Sequence, residues 1–367
     1  MTALKVFQPD LFSDPLPHFY SMENNRHEAR EISALFTGHY KKHGGSPVAI
    51  WKSGALEVNS RNFRIDTDRG TVLLKKLSPS ANEKPVLENQ QALVGWLKNE
   101  GIPVPAPILA DDGYYLCPSG NSEYWTAMTF VEGRFFTGGN DSVANAARAI
   151  GHLHKTLKAA PAALPIDRRY AHLSADDRTL FEEVLTGDPE VLANFDELDA
   201  RLLEQSREFL QRNWQTVLRH QEIYRSSEAE LIHIDLHPHN LLMLEDRVAA
   251  FIDFNSLKAG PLNMMLGFSA YKLLRQAVQT ADQAMTVANC RALTNNFLDN
   301  FYAELPELAA GRDSVGIFAL AEVCRRIGII FHLTLRRRDK TWNHVLKVHL
   351  AGIREIELLF GLEPAQC

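Results

Sequence analysis

The densest group of chemically active side chains lies in the segment from His233 to Asp253. Asp235 and Asn240 stand five positions apart in a polar loop, and Asp253 follows thirteen positions later in the next apolar stretch. Core packing alone does not require so many groups that accept protons or bind cations, so the loop is a candidate site. A carboxylate can orient an attacking hydroxyl group, and carboxylate and amide oxygens can hold Mg²⁺ on phosphates. The segment therefore predicts phosphoryl transfer, with Asp235 orienting the hydroxyl and with Asn240 and Asp253 binding the metal.

The spacing of these residues resembles that of kinases. His-x-Asp, four residues and Asn form the catalytic-loop signature of kinases, and Asp253-Phe254 matches their metal-binding aspartate. The stretches HIDLHPHNLL and AAFIDF look specifically like the aminoglycoside phosphotransferase and choline kinase superfamily, which also contains type II homoserine kinases. The resemblance implies a small-molecule kinase that uses ATP and Mg²⁺. It also implies a two-lobed, protein-kinase-like α+β fold, with a small antiparallel-sheet N-terminal lobe at 1–131 and a larger helical C-terminal lobe at 132–367.

Further matches to this superfamily assign roles to residues earlier in the chain. Lys75 matches the strand lysine that contacts the ATP phosphates, and Glu88 matches the helix carboxylate that pairs with that lysine. Met128 and Phe130, within MTFVEG, match the strand and connector that run along the adenine. The resemblance therefore implies that these four residues bind the nucleotide.

The residues expected near the phosphates match the motifs of the superfamily less closely. Ser53-Gly54 and Asn59-Ser60 both lie near the turn that would cover the phosphates, and neither has a glycine-rich signature. His233 is expected to hydrogen-bond the loop backbone, because the carboxylate two residues later is better placed to act as a base. His237 stands where many protein kinases have a lysine, which leaves open whether it contacts phosphate or supports the loop. After Gly260, the sequence PLNMML lacks the aspartate that braces the loop in the family.

Two other interpretations of the same residues stay open. His233, Asp235 and His237, on alternate positions, could gather a zinc or two-metal centre, as in a metallohydrolase. Lys75 and Glu88 would then have no task. A pseudokinase that binds a nucleotide and a partner would use the same fold, although all the polar groups of the motif are present.

Hydrophobic periodicity predicts the elements that position these groups. Period-two alternation between turn residues predicts an antiparallel meander from 48 to 75, and segment 85–100 has the apolar spacing of an amphipathic helix. Beyond Gly133 the patterns predict helices, interrupted by short strands between Glu230 and Phe254. The predicted helices of this part are 143–159, 189–224, 263–279, 282–303, 314–336 and 342–360.

Composition and charge argue against several other classes of protein. Apolar residues make up 45% and charged residues 23%, which is the balance of a globular protein. A formal net charge of −6 gives no general attraction to nucleic acid or anionic membranes. The apolar stretch 315–335 is interrupted by Glu322, Arg325 and Arg326, which are costly inside a lipid bilayer. The four cysteines are widely spaced, and residues 1–20 have no secretion-signal pattern. We expect a cytoplasmic protein without nucleic-acid or membrane partners.

The phosphate acceptor is a small-molecule alcohol on this interpretation, and the sequence leaves its class open. Acidic residues at 181–199 would suit an aminoglycoside, Tyr271 and Trp342 would suit a choline-like cation, and Arg325 or Arg326 would suit a carboxylate such as that of homoserine. The oligomeric state and the preference for ATP over GTP are equally open.

Overall fold

The N-terminal part of the protein is one antiparallel sheet with a helix on each flank. The computed structural model describes residues 19–53, 61–77, 84–119, 123–164, 166, 175–220, 228–281 and 285–362. The sheet has seven strands in the order β1-β2-β3-β4-β7-β5, and β6 also pairs with β7. The strands are β1 (Phe19–Ser21), β2 (Pro47–Ser53), β3 (Arg61–Thr67), β4 (Gly70–Leu77), β5 (Pro107–Ile108), β6 (Leu116–Pro118) and β7 (Tyr124–Thr129).

Two helices accompany this sheet and have different partners. Helix α1 (Arg26–Gly44) buries Phe36 and Tyr40 against the sheet core. Helix α2 (Lys84–Asn99) contributes to two separate groups of buried residues. Its Leu87 packs with strand residues of the sheet, whereas Leu93 and Leu97 belong to the large core of the C-terminal part. Helix α2 therefore links the two lobes.

The C-terminal part is mostly helical, as predicted from the periodicity. The predicted helix 189–224 is divided in two: the first helix ends at Leu192, and a second begins after Asp196, whose extended backbone (φ −70°, ψ 156°) interrupts the helical turn. The helix Ala175–Thr186 is not anticipated by the pattern. The helices are α3 (Asn140–Lys158), α4 (Ala175–Thr186), α5 (Pro189–Leu192), α6 (Glu197–Arg219), α7 (Leu262–Gln279), α8 (Val287–Glu304), α9 (Val315–Arg336) and α10 (Leu346–Phe360).

Five short strands of the C-terminal part form two small sheets. Strand β10 pairs with β11 on one side and with β8 on the other, whereas β9 pairs with β12. The loop after β9 therefore crosses from one small sheet to the other. The strands are β8 (Arg134–Phe135), β9 (Ala229–His233), β10 (Leu241–Leu244), β11 (Arg247–Phe251) and β12 (Leu257–Pro261).

Helices α7 and α9 approach each other closely at Gly267. A Cβ atom at this position would lie 2.5 Å from the backbone nitrogen of Ala319 and 2.8 Å from the carbonyl oxygen of Val315. Only a residue without a side chain fits there, so the two backbones are in direct contact. The fold is thus the small antiparallel-sheet lobe and larger helical lobe that the sequence predicts. Within the described residues, no helix has the length and apolar character needed to cross a membrane.

Candidate active site

Lys75 and Asp253 form an ion pair between the two lobes. The Lys75 Nζ atom, on β4, lies 3.0 Å from Asp253 Oδ1, just after β11. The ammonium group lowers the pKa of Asp253, although burial of the carboxylate opposes this effect. Asp253 has a φ of 61°, in the left-handed region that aspartate tolerates better than most residues.

The backbone next to Asp253 is fixed by two residues of the loop after β9. The amide of Ile252 donates to the carbonyl of Asn240 at 3.0 Å. The Ile252 carbonyl faces the Nε2 atom of His233 at 3.1 Å. The Nδ1 atom of the same ring accepts from the Asp235 amide at 3.3 Å, so Nε2 carries the proton and donates. His233 therefore has the supporting contacts that we expected from its position.

Asn240 joins this arrangement through its side chain. Its Nδ2 atom donates to the backbone carbonyl of Asp235 at 2.8 Å, and the residue is buried in the short 3₁₀ turn Pro238–Asn240. Because the amide nitrogen is used in the loop, the amide oxygen is the atom that can bind a cation. The loop thus holds Asp235, Asn240 and the approach to Asp253 in one unit.

Arg326 holds the carboxylate of Asp235 from helix α9. Its Nη2 atom lies 2.9 Å from Asp235 Oδ1, and its Nε atom donates to Glu322 Oε1 at 2.8 Å. The guanidinium also lies 3.8 Å from the ring centroid of Phe268 on α7. These contacts hold the loop after β9 against helices α7 and α9.

The charges around Asp235 keep it ionised. Burial alone would raise the pKa of this carboxyl, but the Arg326 guanidinium lowers it well below its usual range. The Nε2 atom of His237 lies 3.6 Å from Asp235 Oδ2, and its Nδ1 accepts from the His239 amide at 3.3 Å. Burial lowers the pKa of His237 to about 4, so the imidazole is neutral near pH 7.

A cavity of about 90 Å³ opens between the lobes beside Lys75 and Asp253. Met128 lies in its wall, whereas Phe130 does not line it. The ring of Phe130 packs instead against Phe19 and the guanidinium of Arg64. The cavity is lined by Asn62, Leu73, Lys75, Gln91, Val94, Pro105, Thr126, Met128, Ile252, Asp253, Phe254 and Asn255.

Glu88 does not occupy the position that the resemblance implied. Its two carboxylate oxygens accept hydrogen bonds from the backbone amides of Tyr115 and Leu116, each at 3.0 Å. The ion pair expected between Glu88 and Lys75 is therefore replaced by a structural role, and Lys75 pairs with Asp253. The α2 residue that shares the cavity with Lys75 is Gln91, one helical turn further on.

Two further expectations concern the phosphate turn and a transition-metal centre. Asn59 and Ser60 lie outside the described residues, so their placement stays a prediction. Among the residues that the structure does describe, no group of three His, Cys, Asp or Glu side chains could hold a metal ion. His233 in particular uses its ring on the loop backbone, which does not favour the metallohydrolase interpretation.

The contact of Arg326 with Asp235 was not anticipated, because the sequence places the two residues 91 positions apart. Its signal was present as three charges in the otherwise apolar stretch 315–335. Arg325 and Arg326 both donate to Glu322, which is 2% exposed. Three charges at this spacing within a buried helix indicate a polar contact inside the protein.

Comparison with known proteins identifies the family. The model of the phosphotransferase enzyme family, APH, matches residues 54–304, which is more than half of the chain. The chain belongs to this phosphotransferase family. It is accordingly a small-molecule kinase by family, and Glu322 and Arg326 lie beyond the matched residues. Among the curated proteins, no sequence matches this phosphotransferase significantly.

Solved structures share the fold of this phosphotransferase at low sequence identity. A spectinomycin phosphotransferase in complex with ADP and spectinomycin is 13% identical, with a TM-score of 0.62 over 91% of this chain and 98% of that chain. An amicoumacin kinase in complex with AMP-PNP and Ca²⁺ is 14% identical, with a TM-score of 0.58 over 93% and 96%. Choline kinase from Cryptosporidium parvum is 12% identical, with a TM-score of 0.58 over 92% and 98%.

Proposed function

We propose that this protein transfers the γ-phosphoryl group of ATP to a hydroxyl group of a small molecule. The observation that carries the proposal is the joining of Asp235, Asn240 and Asp253 through the backbone of one loop, with Lys75 on Asp253. Asp235 is the residue that orients the hydroxyl. Asn240 and Asp253 are the metal ligands, and Lys75 is the cation for the phosphates.

The cavity between the lobes has the chemistry that a nucleotide requires. Leu73, Val94 and Met128 supply apolar walls for a base, and Lys75 supplies a cation at the end near the catalytic loop. Thr126 is 1% exposed, and its Oγ1 atom has no hydrogen-bond partner among the described residues, although it lines the cavity. A buried hydroxyl of this kind favours a polar ligand. The complexes of two related structures contain ADP and AMP-PNP, which supports ATP as the donor.

The donor atoms at Asn240 and Asp253 suit Mg²⁺. Hard cations prefer amide and carboxylate oxygens, and Mg²⁺ usually keeps several waters and phosphate oxygens beside one or two protein ligands. The low pKa of Asp253 means that this carboxylate is charged at neutral pH. When bound there, Mg²⁺ would neutralise negative charge on the phosphates.

The environment of Asp235 fits phosphoryl transfer better than strong base catalysis. Its pKa is held well below the usual range, so the carboxylate is always available to accept a hydrogen bond but is a weak base. A weak base is sufficient for a loose transition state, because the hydroxyl becomes acidic only as its oxygen bonds to phosphorus. Asp235 then accepts the proton late, and Arg326 keeps the carboxylate in position.

Two substitutions of Asp by Asn test these roles. Asp253→Asn keeps a residue that tolerates a positive φ, so it removes the charge without straining the turn. We expect it to abolish the Mg²⁺-dependent part of ATP binding. Asp235→Asn should bind ATP normally and lose turnover by roughly 10² or more. The measurements are ATP titrations by thermal melting with and without Mg²⁺, together with ADP release in the presence of candidate acceptors.

The exposed Asp141 on α3 provides the control, because Asp141→Asn should match the wild type in both measurements. Loss of ATP binding in Asp235→Asn would contradict the assignment of that residue. An unchanged Mg²⁺ dependence in Asp253→Asn would contradict the metal site. A wild-type protein that binds ATP but transfers phosphate to no acceptor would be a pseudokinase.

A further inference from the structure

A cluster of basic side chains surrounds the hydroxyl-orienting carboxylate on the side of the helical lobe. Arg326 reaches Asp235 from α9, and His237 approaches the other carboxylate oxygen from the loop. Lys272, partly buried on α7, lies one helical turn after Phe268, whose ring contacts the Arg326 guanidinium, and its positive charge lowers the pKa of the His237 imidazole. Three different elements thus bring basic groups to the place where the acceptor hydroxyl must bind.

Arg326 is held in place and still has donor capacity. Nε donates to Glu322, Nη2 donates to Asp235, and the Phe268 ring supports the guanidinium face. No described residue accepts a hydrogen bond from Nη1, and the side chain is 23% exposed. A guanidinium fixed by three contacts is a preorganised partner for a carboxylate or a phosphate.

Two of the nearby carboxylates pair with other basic groups of the site. Glu322 is 2% exposed and gives both oxygens to Arg325 and Arg326, so it lies behind the guanidinium. Asp253 lies across the loop and pairs with Lys75. Arg326, the neutral His237 and Lys272 therefore lie near Asp235 on the side of the helical lobe.

The structure does not favour a site for a choline-like cation at Tyr271. Tyr271 is 1% exposed, and its hydroxyl donates to Glu355 at 2.8 Å inside the core. Glu355 in turn pairs with the buried Arg275 at 2.7 Å. Trp342 is exposed, and one face of its ring stacks on His344.

Two of the acidic residues of 181–199 pair with basic residues near the end of α9. Glu183 accepts from Arg336 at 3.1 Å, and Asp196 accepts from Lys340 at 2.8 Å. Arg336 lies ten residues beyond Arg326 on the same helix, which is about 15 Å along the axis. These acids therefore belong to the far end of α9.

We propose that the acceptor carries an anionic group, a carboxylate or a phosphate, near its reactive hydroxyl, and that Arg326 and Lys272 bind this group. The inference rests on the proposed phosphoryl transfer and names its acceptor class. In the reaction, the acceptor oxygen bonds to the γ-phosphorus while the bond from that phosphorus to the bridging oxygen of ADP breaks. The hydroxyl proton passes to Asp235 and then to solvent, so the products are ADP and a phosphorylated anion.

The test separates acceptors by charge before they are identified. A small-molecule extract of cells is divided by ion exchange into anionic, neutral and cationic fractions. Spectinomycin, kanamycin and choline are added to the cationic fraction. The full-length protein is incubated with each fraction, Mg²⁺ and ATP labelled at the γ-phosphate. We expect labelled product in the anionic fraction, at least about tenfold above the other two fractions.

The active fraction is then resolved further with synthetic pairs that differ in one group. Each pair joins a hydroxy acid to its carboxamide, or a phosphorylated alcohol to the free alcohol, so that the two arms distinguish carboxylate from phosphate. Lys272→Gln should reduce the preference for the charged member by about tenfold. Lys155→Gln, on the exposed side of α3, is the matched control and should keep the wild-type preference.

The outcomes decide between the two proposals. Greater transfer in the neutral or cationic fraction would overturn the anionic acceptor while leaving phosphoryl transfer intact. Equal loss for charged and neutral acceptors in Lys272→Gln would place that lysine on the transferred phosphoryl group and overturn its acceptor role. No transfer in any fraction, for a protein whose melting still responds to Mg²⁺ and ATP, would overturn the proposed function itself.

Discussion

The guanidinium of Arg326 lies 2.9 Å from the carboxylate of Asp235, although the two residues are 91 positions apart in the chain. A helix of the C-terminal lobe therefore sets the charge and orientation of the residue that we assign to the hydroxyl. Glu322 and Phe268 hold the guanidinium in turn. The reactivity of the loop depends on the packing of α9 against α7.

Replacing Arg326 by Gln should move the acid limb of the turnover profile toward neutral pH. Activity requires ionised Asp235, and Arg326 is the largest influence that lowers the pKa of this buried carboxyl. Without the cation, burial still raises the pKa, so the carboxylate becomes protonated at a higher pH than in the wild type. The measurement is kcat against pH with the best acceptor. Arg336→Gln, at the exposed end of the same helix, should leave the profile unchanged.

Lys75 and its neighbour Lys76 should differ strongly in nucleotide use. Lys75 faces the cavity, whereas Lys76 pairs with Glu123 and lies over the ring of Trp125. Adjacent residues of a strand point to opposite faces of the sheet. Lys75→Ala should therefore weaken binding of ATP with Mg²⁺ at least about tenfold, as the loss of a charge-assisted contact does. Lys76→Ala should change it little, and equal effects in the two titrations would contradict this assignment.

Glu88→Ala should lower stability and leave nucleotide affinity intact. The carboxylate accepts from two backbone amides, of Tyr115 and Leu116, and hydrogen bonds to a charged group contribute about 1.5 to 3 kcal/mol. We expect the free energy of unfolding to fall by about that amount in urea titrations. Glu100→Ala, at an exposed position after α2, is the control. A large loss of ATP affinity at unchanged stability would instead support pairing of Glu88 with Lys75.

Gly267→Ala should destabilise the protein, in contrast to Gly38→Ala. An added methyl group at Gly267 would meet the backbone of Ala319 at 2.5 Å, so α7 and α9 must separate. Overpacking of this kind costs about 1 to 3 kcal/mol. Gly38 lies on α1, and a Cβ there meets nothing within 4 Å, so alanine should stabilise the helix by up to about 1 kcal/mol. Urea unfolding of both variants measures whether each substitution lowers or raises the free energy of unfolding. Destabilisation by Gly38→Ala would contradict this account of the two positions.

Local patterns predicted most of the fold because they record which face of an element is buried. The meander 48–75 and the helix 85–100 correspond to β2 to β4 and to α2 within a few residues. The pairing of β9 with β12 was not predictable, because it joins segments on either side of the catalytic loop. Such pairing depends on tertiary packing and leaves no periodic signal.

The candidate site shows the same limit within a single helix. Glu88 and Gln91 are one turn apart on α2, so they share a face, and periodicity cannot tell which of them meets Lys75. The loop residues were predictable because their types and spacing are close together in the chain. Arg326 was not, since its contact with Asp235 depends on how a distant helix packs.

The division of α2 between two groups of buried residues has a thermodynamic consequence. Leu87 packs with Leu77 and Leu116 of the sheet lobe, while Leu93 and Leu97 are part of the large helical core. Neither lobe can melt alone without unravelling part of this helix or exposing some of its buried apolar residues to water. The lobes should therefore unfold as one cooperative unit, with a single calorimetric transition whose measured enthalpy equals its van't Hoff enthalpy.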